Sequence, residues 1–445
     1  MTEATIVNDA ALMDSLRNVV ANLGTARDKA SSSQYVFTEQ TDDDLIHAYR
    51  GAWLPRAIVD IPAEDATRKW RQWKAEAEQI TKIEALEKKL GVNRKVEAAL
   101  KMSRLLGGSA LYISTNETNP EQPLKPERIR ELRGLTLLTK MDLTPDEMVK
   151  DIESEYYGKA EYYKLARRDG TAEQKIHASR LVLFEGNPVP DQMRLERGWG
   201  DSALQPVMDA VLSHDSSVAN IVSLIFEAKI DVMRFEGFAE KLSDGCGTTI
   251  MTNRLILQAA MKGINGALIM DKQDEYDSKT ASFGGLDALL ERFGYLVAGA
   301  AEIPATRLFG RSAAGLSGSG DGDERVYYDR IGHEQSNRIE PAMTVLDECL
   351  IQSALGSRPP EIWYEWKPLR QVSEKERAEI FKTTADAART LAGATAGEII
   401  PLDVLSDCVT NELIEQGVLP GLEAATKEYG SLSEQDIVPG EGEDA

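Results

Sequence analysis

Cysteine is scarce in this chain of 445 residues, which contains three. Cys246, Cys349 and Cys408 are widely separated and match neither a disulfide framework nor the paired spacing of a structural zinc site. Proteins that stay in a reducing compartment rarely form disulfides, and this pattern is typical of them. We therefore predict free thiols and no metal site.

Long apolar runs are also missing. The best run, from Val218 to Phe226, is far shorter than the roughly 20 apolar residues that a membrane-spanning helix needs. The first residues lack the basic segment and apolar core of a secretory signal. We therefore expect no membrane partner, and a protein that is cytoplasmic when made.

Positive charge is in deficit. The chain has 51 Lys and Arg against 73 Asp and Glu, which gives a formal net charge of -22. Because phosphate binding depends largely on Lys and Arg, this balance argues against a protein whose main surface clamps nucleic acid. It leaves open a protein past which DNA slides, since an acidic wall prevents sticking.

The motifs of common catalytic sites are absent from the sequence. No G-x-S-x-G elbow, H-E-x-x-H helix or C-x-x-C pair occurs. Two H-x-S sequences, at His177-Ala-Ser179 and His214-Asp-Ser216, have the form that a phosphoesterase with two such motifs needs, but His177 opens a predicted strand and His214 lies in a helical pattern. We predict no catalytic residue and no cofactor, with a two-metal nuclease built on scattered carboxylates as the open alternative.

The most distinctive stretch is rich in glycine and serine. Glycines recur between Gly310 and Gly322, which leaves the backbone too free for a helix or a strand. The stretch ends in Asp321-Gly-Asp-Glu324, with carboxylates where a P-loop needs Lys, so nucleotide binding is disfavoured. We predict a mobile loop over 302–323.

A long helical pattern follows this loop. Its apolar residues recur at steps of three, four or eight and therefore share one face. They are Tyr327, Ile331, Ile339, Met343, Leu346 and Leu350. Pro341 lies inside the pattern and has no backbone donor, so the sequence predicts a kinked helix over 324–358 with its bend near Glu340.

The region 45–201 is typical of an α+β domain. Helical patterns over 82–90 and 93–106 end at Gly91 and at Gly107-Gly108, and a strand is predicted over 110–114. Short strands separated by glycine-containing turns follow over 154–186. The fold class predicted for the whole chain is α+β and mainly helical.

Other helices are expected on either side of these strands. Pro62 is well placed to start a helix that carries Ala66, Trp70 and Trp73 on one side. Before it, residues 1–44 are expected to form a flexible N-terminal arm.

Two apolar helical patterns, over 202–230 and 284–301, bracket a small turn-rich module at 231–283. The residues expected to pack the two helices are Leu204, Val211, Ile221, Ile225, Leu290 and Phe293. Helices are also predicted within 359–430, and the acidic end, 431–445, is expected to be disordered.

Several short motifs occur in a fixed order. They are Ile58-Val-Asp-Ile-Pro62 with Trp70, Ile176-His-Ala-Ser-Arg180 with Phe184-Glu-Gly186, Gly198-Trp-Gly-Asp-Ser202, and Ile303-Pro-Ala-Thr-Arg-Leu-Phe-Gly310 with Tyr327-Tyr-Asp329. In this order they resemble the tailed-bacteriophage portal proteins, specifically the DUF1073-type portal family. The resemblance spans most of the chain, from about Leu12 to Gly417.

The resemblance implies a portal-type subunit that assembles into a homo-oligomeric ring, commonly of twelve copies, at one vertex of the capsid. Its regions would be a wing (45–201), stem helices (202–230 and 284–301), a clip (231–283), a tunnel loop (302–323), a wing-to-crown helix (324–358) and a crown (359–430). The implied function is a conduit for DNA packaging, DNA retention, tail attachment and genome ejection, and not an enzyme.

The same resemblance implies the partners: double-stranded DNA in the channel, the large terminase, the major capsid protein or scaffold, and a head-tail adaptor. The implied location is the portal vertex of the virion, with the host cytoplasm during assembly. The tunnel-loop residues would be Arg307, Arg311, Ser317, Gly318, Ser319 and Gly320. The two arginines could touch phosphates transiently or pair with acidic residues of a neighbouring subunit, and a non-ring head or tail adaptor is a further alternative.

Overall fold

The computed structural model confirms an α+β fold that is mainly helical. It describes residues 38–117, 119–154, 156–166, 174–190, 198–227, 229–234, 253, 256, 275–280, 284–310, 321–370, 374–393, 402–415, 421–422 and 425–426. The chain divides into two compact units, residues 1–367 and 368–445. Within the described residues, no helix has both the length and the apolar character needed to cross a membrane.

The first unit contains nine of the helices that the structure describes. They are α1 (Asp42–Gly51), α2 (Trp53–Arg68), α3 (Ala77–Leu90), α4 (Val92–Leu106), α5 (Met208–Glu227), α6 (Leu286–Ala301), α7 (Ala305–Phe309), α8 (Asp321–Glu334) and α9 (Glu340–Leu355). A π-helical segment, Gln335–Ile339, joins α8 to α9, and short 3-10 turns lie at Pro126–Arg128 and Ala178–Arg180. In the second unit, α10 (Glu374–Gly393) packs against α11 (Leu402–Glu415).

The strands form four small antiparallel sheets. They are β1 (Arg71–Lys74), β2 (Gly108–Thr115), β3 (Leu132–Thr139), β4 (Leu143–Pro145), β5 (Tyr162–Leu165), β6 (Gln174–His177), β7 (Leu181–Glu185), β8 (Lys229–Arg234), β9 (Glu275–Thr280) and β10 (Trp363–Trp366). The sheet orders are β3-β2-β7, β4-β5-β6, β1-β10 and β8-β9. Helix α4 packs on β3-β2-β7, and α9 packs on α3 beside the same sheet, so this layer holds much of the core.

The predicted helix ends at Gly91 and Gly107 are confirmed. Gly91 has a φ of 65° between α3 and α4, and Gly107 ends α4 with a φ of 89°. Only glycine adopts these left-handed conformations without strain, so each residue stops its helix. The strand predicted over 110–114 is the centre of β2, and the short strands predicted over 154–186 are β5, β6 and β7.

The helix predicted to begin at Pro62 is wrong in its extent. Helix α2 starts at Trp53, contains Pro62 in its interior and ends at Arg68. Trp73 lies in β1 and pairs with Tyr364 of β10, far away in the sequence.

Part of the predicted N-terminal arm, 1–44, is bound to the domain. Gln205 holds the backbone of Thr38 and Gln40 by hydrogen bonds of 2.7 and 3.0 Å. Residues 1–37 lie outside the described part of the chain.

Pro62 breaks the hydrogen-bond ladder of α2, and Arg104 repairs it. Proline has no N–H, so the carbonyl of Ile58, four residues earlier, loses its helical donor. Nη2 of Arg104 donates to this carbonyl at 3.0 Å, and Nε donates to the carbonyl of Val59 at 3.1 Å. Arg104 therefore ties α4 to α2 at the point where α2 is weakest.

The long helix predicted over 324–358 is present and has an irregular turn, and its kink stays a prediction. The π-helical segment Gln335–Ile339 ends directly before Glu340, where the bend was predicted, and Pro341 follows. The missing N–H of Pro341 removes a donor from this turn, which favours the wider hydrogen-bond spacing. All six residues of the predicted apolar face, from Tyr327 to Leu350, are buried.

The Gly198-Trp-Gly-Asp-Ser202 motif packs closely against three glycines, Gly107, Gly108 and Gly186, at the sheet β3-β2-β7. We call this contact the glycine joint. A Cβ added to Gly108 would lie 2.1 Å from Cε3 of Trp199, one on Gly107 would lie 2.2 Å from the carbonyl oxygen of Gly200, and one on Gly186 would lie 2.4 Å from that of Asp201. Trp199 is buried between the sheets β3-β2-β7 and β4-β5-β6. The glycine joint thus fixes the chain immediately before α5.

A buried charge cluster joins β1, β10, α3 and α9. Nε and Nη2 of Arg71 donate to Oε1 of Glu87 at 2.9 and 2.6 Å, and Nη1 lies 2.6 Å from Oδ1 of Asp347. Nε1 of Trp73 donates to Oε2 of Glu87, and the guanidinium lies 4.5 Å from the ring centroid of Tyr364. We call these residues the Arg71 cluster; it attaches the β1-β10 sheet to the helical layer.

Candidate channel segment and its anchorage

Helices α5 and α6 pack against each other and continue into a two-stranded ribbon. Strand β8 follows α5 directly, β9 precedes α6, and the two strands pair from Lys229 with Thr280 to Arg234 with Glu275. The ribbon therefore connects the two helices at one end. Two helices were predicted on either side of 231–283, and α5 and α6 lie there. The small module itself stays a prediction, because most of its residues lie outside the described part of the chain.

The helix predicted over 202–230 is shorter in the structure. Residues 203–207 form turns, α5 starts at Met208, and Ile230 belongs to β8. Ser202 is tied to the end of α4, because its Oγ donates to the carbonyl of Arg104 at 3.2 Å. The sheet pairing with Lys279 ends the helix before Ile230.

The residues predicted to pack the two helices differ in how deeply they are buried. Leu204 is buried, but in the turn before α5, and Val211 is buried on α5. Ile221, Leu290 and Phe293 are half-buried, and the side chain of Ile225 lies outside the described residues. Their role in packing between subunits stays a prediction.

Both helices also expose large apolar side chains. On α5 these are Leu212, Val218, Val222 and Leu224, and on α6 they are Leu289, Tyr295 and Leu296. Leu296 is 63% exposed, and Leu212 is 55% exposed. Several large apolar side chains exposed on one helix pair make this pair a candidate for contact with another protein surface.

The segment predicted as a mobile loop over 302–323 is helical at both ends. Helix α7 occupies Ala305–Phe309, and α8 already begins at Asp321. Pro304 immediately precedes α7, where its fixed φ favours helix initiation, and Gly310 ends α7 with a φ of 66°. The structure thus limits the loop to the residues after Phe309 and before Asp321, of which 311–320 lie outside the described residues.

Arg307 forms an ion pair with Asp65 of the same chain. Its Nε and Nη2 donate to the two carboxylate oxygens of Asp65 at 3.1 and 3.0 Å. The hydroxyl of Tyr327 donates to Oδ2 of Asp65 at 3.0 Å. Asp65 therefore joins three elements, α2, α7 and α8, directly beside the loop.

The protonation states suit this arrangement. The hydrogen bonds to Asp65 raise the pKa of Arg307, and burial together with the Asp65 charge raises the pKa of Tyr327. Arg307 therefore stays cationic and Tyr327 stays a neutral donor at any physiological pH. We call Asp65, Arg307 and Tyr327 the loop anchor.

Asp65 was not predicted as a site residue, although the sequence contains a signal. It lies seven residues after Ile58 and three after Pro62, on the buried face of α2, and its own exposure is 0%. A carboxylate on a buried face needs partners, because an unpaired buried charge is costly. The other predicted loop residues, Arg311, Ser317, Gly318, Ser319 and Gly320, lie outside the described residues.

We predict that Arg307→Met destabilises the protein by about 2 kcal/mol, since Asp65 stays buried and loses both charge-assisted hydrogen bonds. Thermal or denaturant unfolding of the purified protein measures this change. Arg325→Met is the matched control, because Arg325 is an exposed residue of α8 with no ion pair among the described residues. Equal effects of the two substitutions would contradict the role of the loop anchor.

The two H-x-S sequences have separate surroundings. Nδ1 of His177 lies 2.8 Å from Oγ of Ser179, and its ring contacts Tyr156 and Tyr162. His214 lies on α5, with Nδ1 3.1 Å from Oδ1 of Asp215 and its ring near Phe309. Within the described part of the chain, no group of three His, Cys, Asp or Glu residues is placed to hold a metal ion.

Sequence comparison matches most of the chain to one protein family. Residues 43–390 match the family described as phage portal protein. The chain is 42% identical over 438 residues to a Caulobacter sp. protein named anti-CBASS protein Acb1, with 95% of this chain and 70% of that relative covered. It is 31% identical to an uncharacterized protein of Haemophilus influenzae, with 93% of this chain and 92% of that relative covered.

Among solved structures, the fold is similar to that of a chain in the neck of an empty gene transfer agent (GTA) particle computed with C6 symmetry. The TM-score is 0.53 at 16% sequence identity, and the match covers 84% of this chain and 98% of that chain. At this identity the similarity shows a shared fold.

Proposed function

Because the chain belongs to the phage portal protein family, we propose that it forms a homo-oligomeric ring of twelve subunits at one vertex of a phage capsid. The ring is the channel for DNA packaging, DNA retention, tail attachment and genome ejection. Its partners are double-stranded DNA, the large terminase, the major capsid protein or scaffold, and a head-tail adaptor. It is located in the virion and, during assembly, in the host cytoplasm.

The family match over 43–390 carries this proposal, and the arrangement of α5 and α6 supports it. Two paired helices with exposed apolar side chains can pack side by side with copies of themselves around an axis. In this reading α5 and α6 are the stem, the segment between them is the clip, and the sheets before α5 belong to the wing. The crown is assigned to 359–430.

The loop between α7 and α8 is proposed as the tunnel loop. Its near end follows α7, which the loop anchor ties to α2 through Arg307 and Asp65. Arg307 is engaged by Asp65, which leaves Arg311 as the cation of this segment that we propose to touch DNA phosphates transiently. Ser317, Gly318, Ser319 and Gly320 would give the loop the freedom to follow a moving duplex.

The name of the Caulobacter relative points to another activity. This chain spans 70% of that relative but 92% of the Haemophilus influenzae relative. We therefore propose that the activity behind the name resides in the part of the Caulobacter protein that the match leaves out. For the part shared with this chain, we propose a structural role and no catalysis.

Electron microscopy of the full-length protein, combined with mass photometry, tests the ring. The expected result is closed rings with a central hole, either from the protein alone or after co-expression with the capsid and scaffold proteins of the same phage. A protein that stays monomeric in both preparations and cleaves DNA only with a divalent metal would support the nuclease alternative. Open oligomers in both preparations would support a non-ring adaptor.

A further inference from the structure

A large open cleft lies in the first unit. It has a volume of about 1060 Å³ and lies between α2, α4, β7, the end of α6 and the helical stretch from α8 to α9. Apolar residues of α2 and β7 form part of its walls, and Arg, Lys and Glu residues also line it. This volume of about 1060 Å³ is slightly above that of typical small-molecule binding clefts, which span roughly 300–1,000 Å³.

The charge balance of the cleft differs from that of the whole protein. Its lining has four Arg and Lys residues against three Glu residues. Two of these carboxylates are matched by arginines: Glu302 pairs with Arg330, and Oε2 of Glu334 lies 2.9 Å from Nη1 of Arg338. The cleft is therefore positive in a chain with a formal net charge of -22.

Arg104 differs from Arg330 and Arg338 of the same cleft, because it has no glutamate partner among the described residues. Its Nε and Nη2 donate to backbone carbonyls of α2, and no carboxylate lies within ion-pair distance of it among the described residues. Burial lowers the pKa of Arg104 to about 10, and the contributions of Tyr327 and Glu334 do not restore it. The remaining nitrogen, Nη1, makes no hydrogen bond within the described part of the chain.

Lys159 lines the same cleft from the opposite domain wall, in the turn before β5. Its ammonium group also has no ion pair among the described residues. A partly buried guanidinium and a second free cation facing one polar space are the groups that bind carboxylates and phosphates. The backbone carbonyls already bound to Arg104 hold its plane in place, so the guanidinium is oriented in advance.

We propose that this cleft binds an oxyanion, a carboxylate or a phosphate group, with Nη1 of Arg104 as its main donor and Lys159 as a second positive charge. The bound anion neutralises a cation that the fold leaves without a carboxylate. Tyr327 of the loop anchor borders the cleft, but Asp65 and Arg307 are not among its lining residues.

Isothermal titration of the full-length protein with inorganic phosphate, and separately with malonate, tests the proposal at constant ionic strength. We expect binding of at least one probe, and the stronger probe identifies a phosphate or a carboxylate as the preferred group. Lys159→Gln should weaken binding roughly fivefold. Arg104→Lys, which keeps the charge but changes its geometry, should weaken it about tenfold.

Lys150→Gln is the control, since Lys150 is an exposed lysine of the same domain outside the cleft. It should leave binding of the probes unchanged. Circular dichroism and thermal unfolding establish that both cleft variants are folded, which matters most for Arg104→Lys because Arg104 also supports α2. The proposal is overturned if neither probe binds at millimolar concentration, or if both cleft variants bind as the wild type does.

Discussion

Gly108→Ala is expected to destabilise the protein by about 3 kcal/mol or more, because the new methyl group would occupy the ring of Trp199. The added Cβ would lie 2.1 Å from Cε3, 2.7 Å from Cδ2 and 2.9 Å from Cζ3 of this ring. Trp199 cannot move away, since it is 7% exposed and packs between two sheets. Denaturant unfolding of the variant measures the loss.

Gly134→Ala is the matched control in the neighbouring strand β3. A Cβ at Gly134 meets no atom within 4 Å. Because glycine in a strand interior costs about 0.5–1 kcal/mol of backbone entropy, alanine should be neutral or slightly stabilising there. If Gly108→Ala behaved like this control, the glycine joint would not depend on close contact.

A rescue experiment separates the steric clash from other effects. Trp199→Leu removes the ring and has its own cost, but in that background Gly108→Ala should lose most of its effect. The coupling between the two substitutions, obtained from a double-mutant cycle, is expected to be on the order of 2 kcal/mol. Additive effects would show that Gly108 matters for a reason other than Trp199.

The contacts of the glycine joint could not be predicted from the sequence alone. Gly198-Trp-Gly-Asp-Ser202 is recognisable as a motif, but its partners Gly107 and Gly108 lie about 90 residues before it in the sequence, and only Gly186 is near. Gly107 was predicted as a helix end, which is confirmed, yet its second role as a close packing surface is a property of tertiary contacts. A single sequence contains no record of which glycines meet.

Local patterns predicted the elements that depend on local physics. The helix ends at Gly91 and Gly107 and the apolar face from Tyr327 to Leu350 all follow from residues close together in the chain. Trp73 was placed on a helix because its spacing from Ala66 and Trp70 fits one. It lies in a strand because it pairs with Tyr364, about 290 residues away, and such pairing leaves no periodic signal.

The candidate channel segment was predicted in the same partial way. The helix pair and the loop between further helices follow from apolar periodicity and glycine content. The short helix α7 was missed, because its five residues are too few for a periodic signal and it is stabilised by the contact between Arg307 and Asp65. The buried face of α2 would have indicated that Asp65 requires such a partner.

Arg71→Met is expected to destabilise the protein by about 4 kcal/mol, since it leaves Glu87 and Asp347 buried without their shared cation. The Arg71 side chain is 0% exposed, and its two carboxylate partners are 9% and 11% exposed. Lys74→Met, in the same strand, is the matched control. Lys74 pairs with Glu365 at 3.2 Å where both side chains are well exposed, so its loss should cost less than about 1 kcal/mol.

The pH dependence of this effect distinguishes a charge cluster from simple packing. One guanidinium faces two carboxylates, and burial raises the pKa of Asp347 to about 6 even though Arg71 favours its ionised form. Between the unfolded pKa of about 3.9 and this value, the native state holds a proton that the unfolded chain has released. The free energy of unfolding should therefore fall as the pH rises through this window, by up to about 3 kcal/mol from this group.

Asp347→Asn should remove that slope, because the amide does not titrate, and should change stability at pH 7 less than Arg71→Met does. Because the pKa of Asp347 is about 6, this carboxyl is mostly protonated near pH 5 and ionised at pH 7, so the cost of Arg71→Met should be smaller near pH 5 than at pH 7. Unfolding of the wild type and the two variants at both pH values measures these differences. A cost of Arg71→Met that is independent of pH would show that the guanidinium contributes through its packing against Trp73 and Tyr364 and not through its charge.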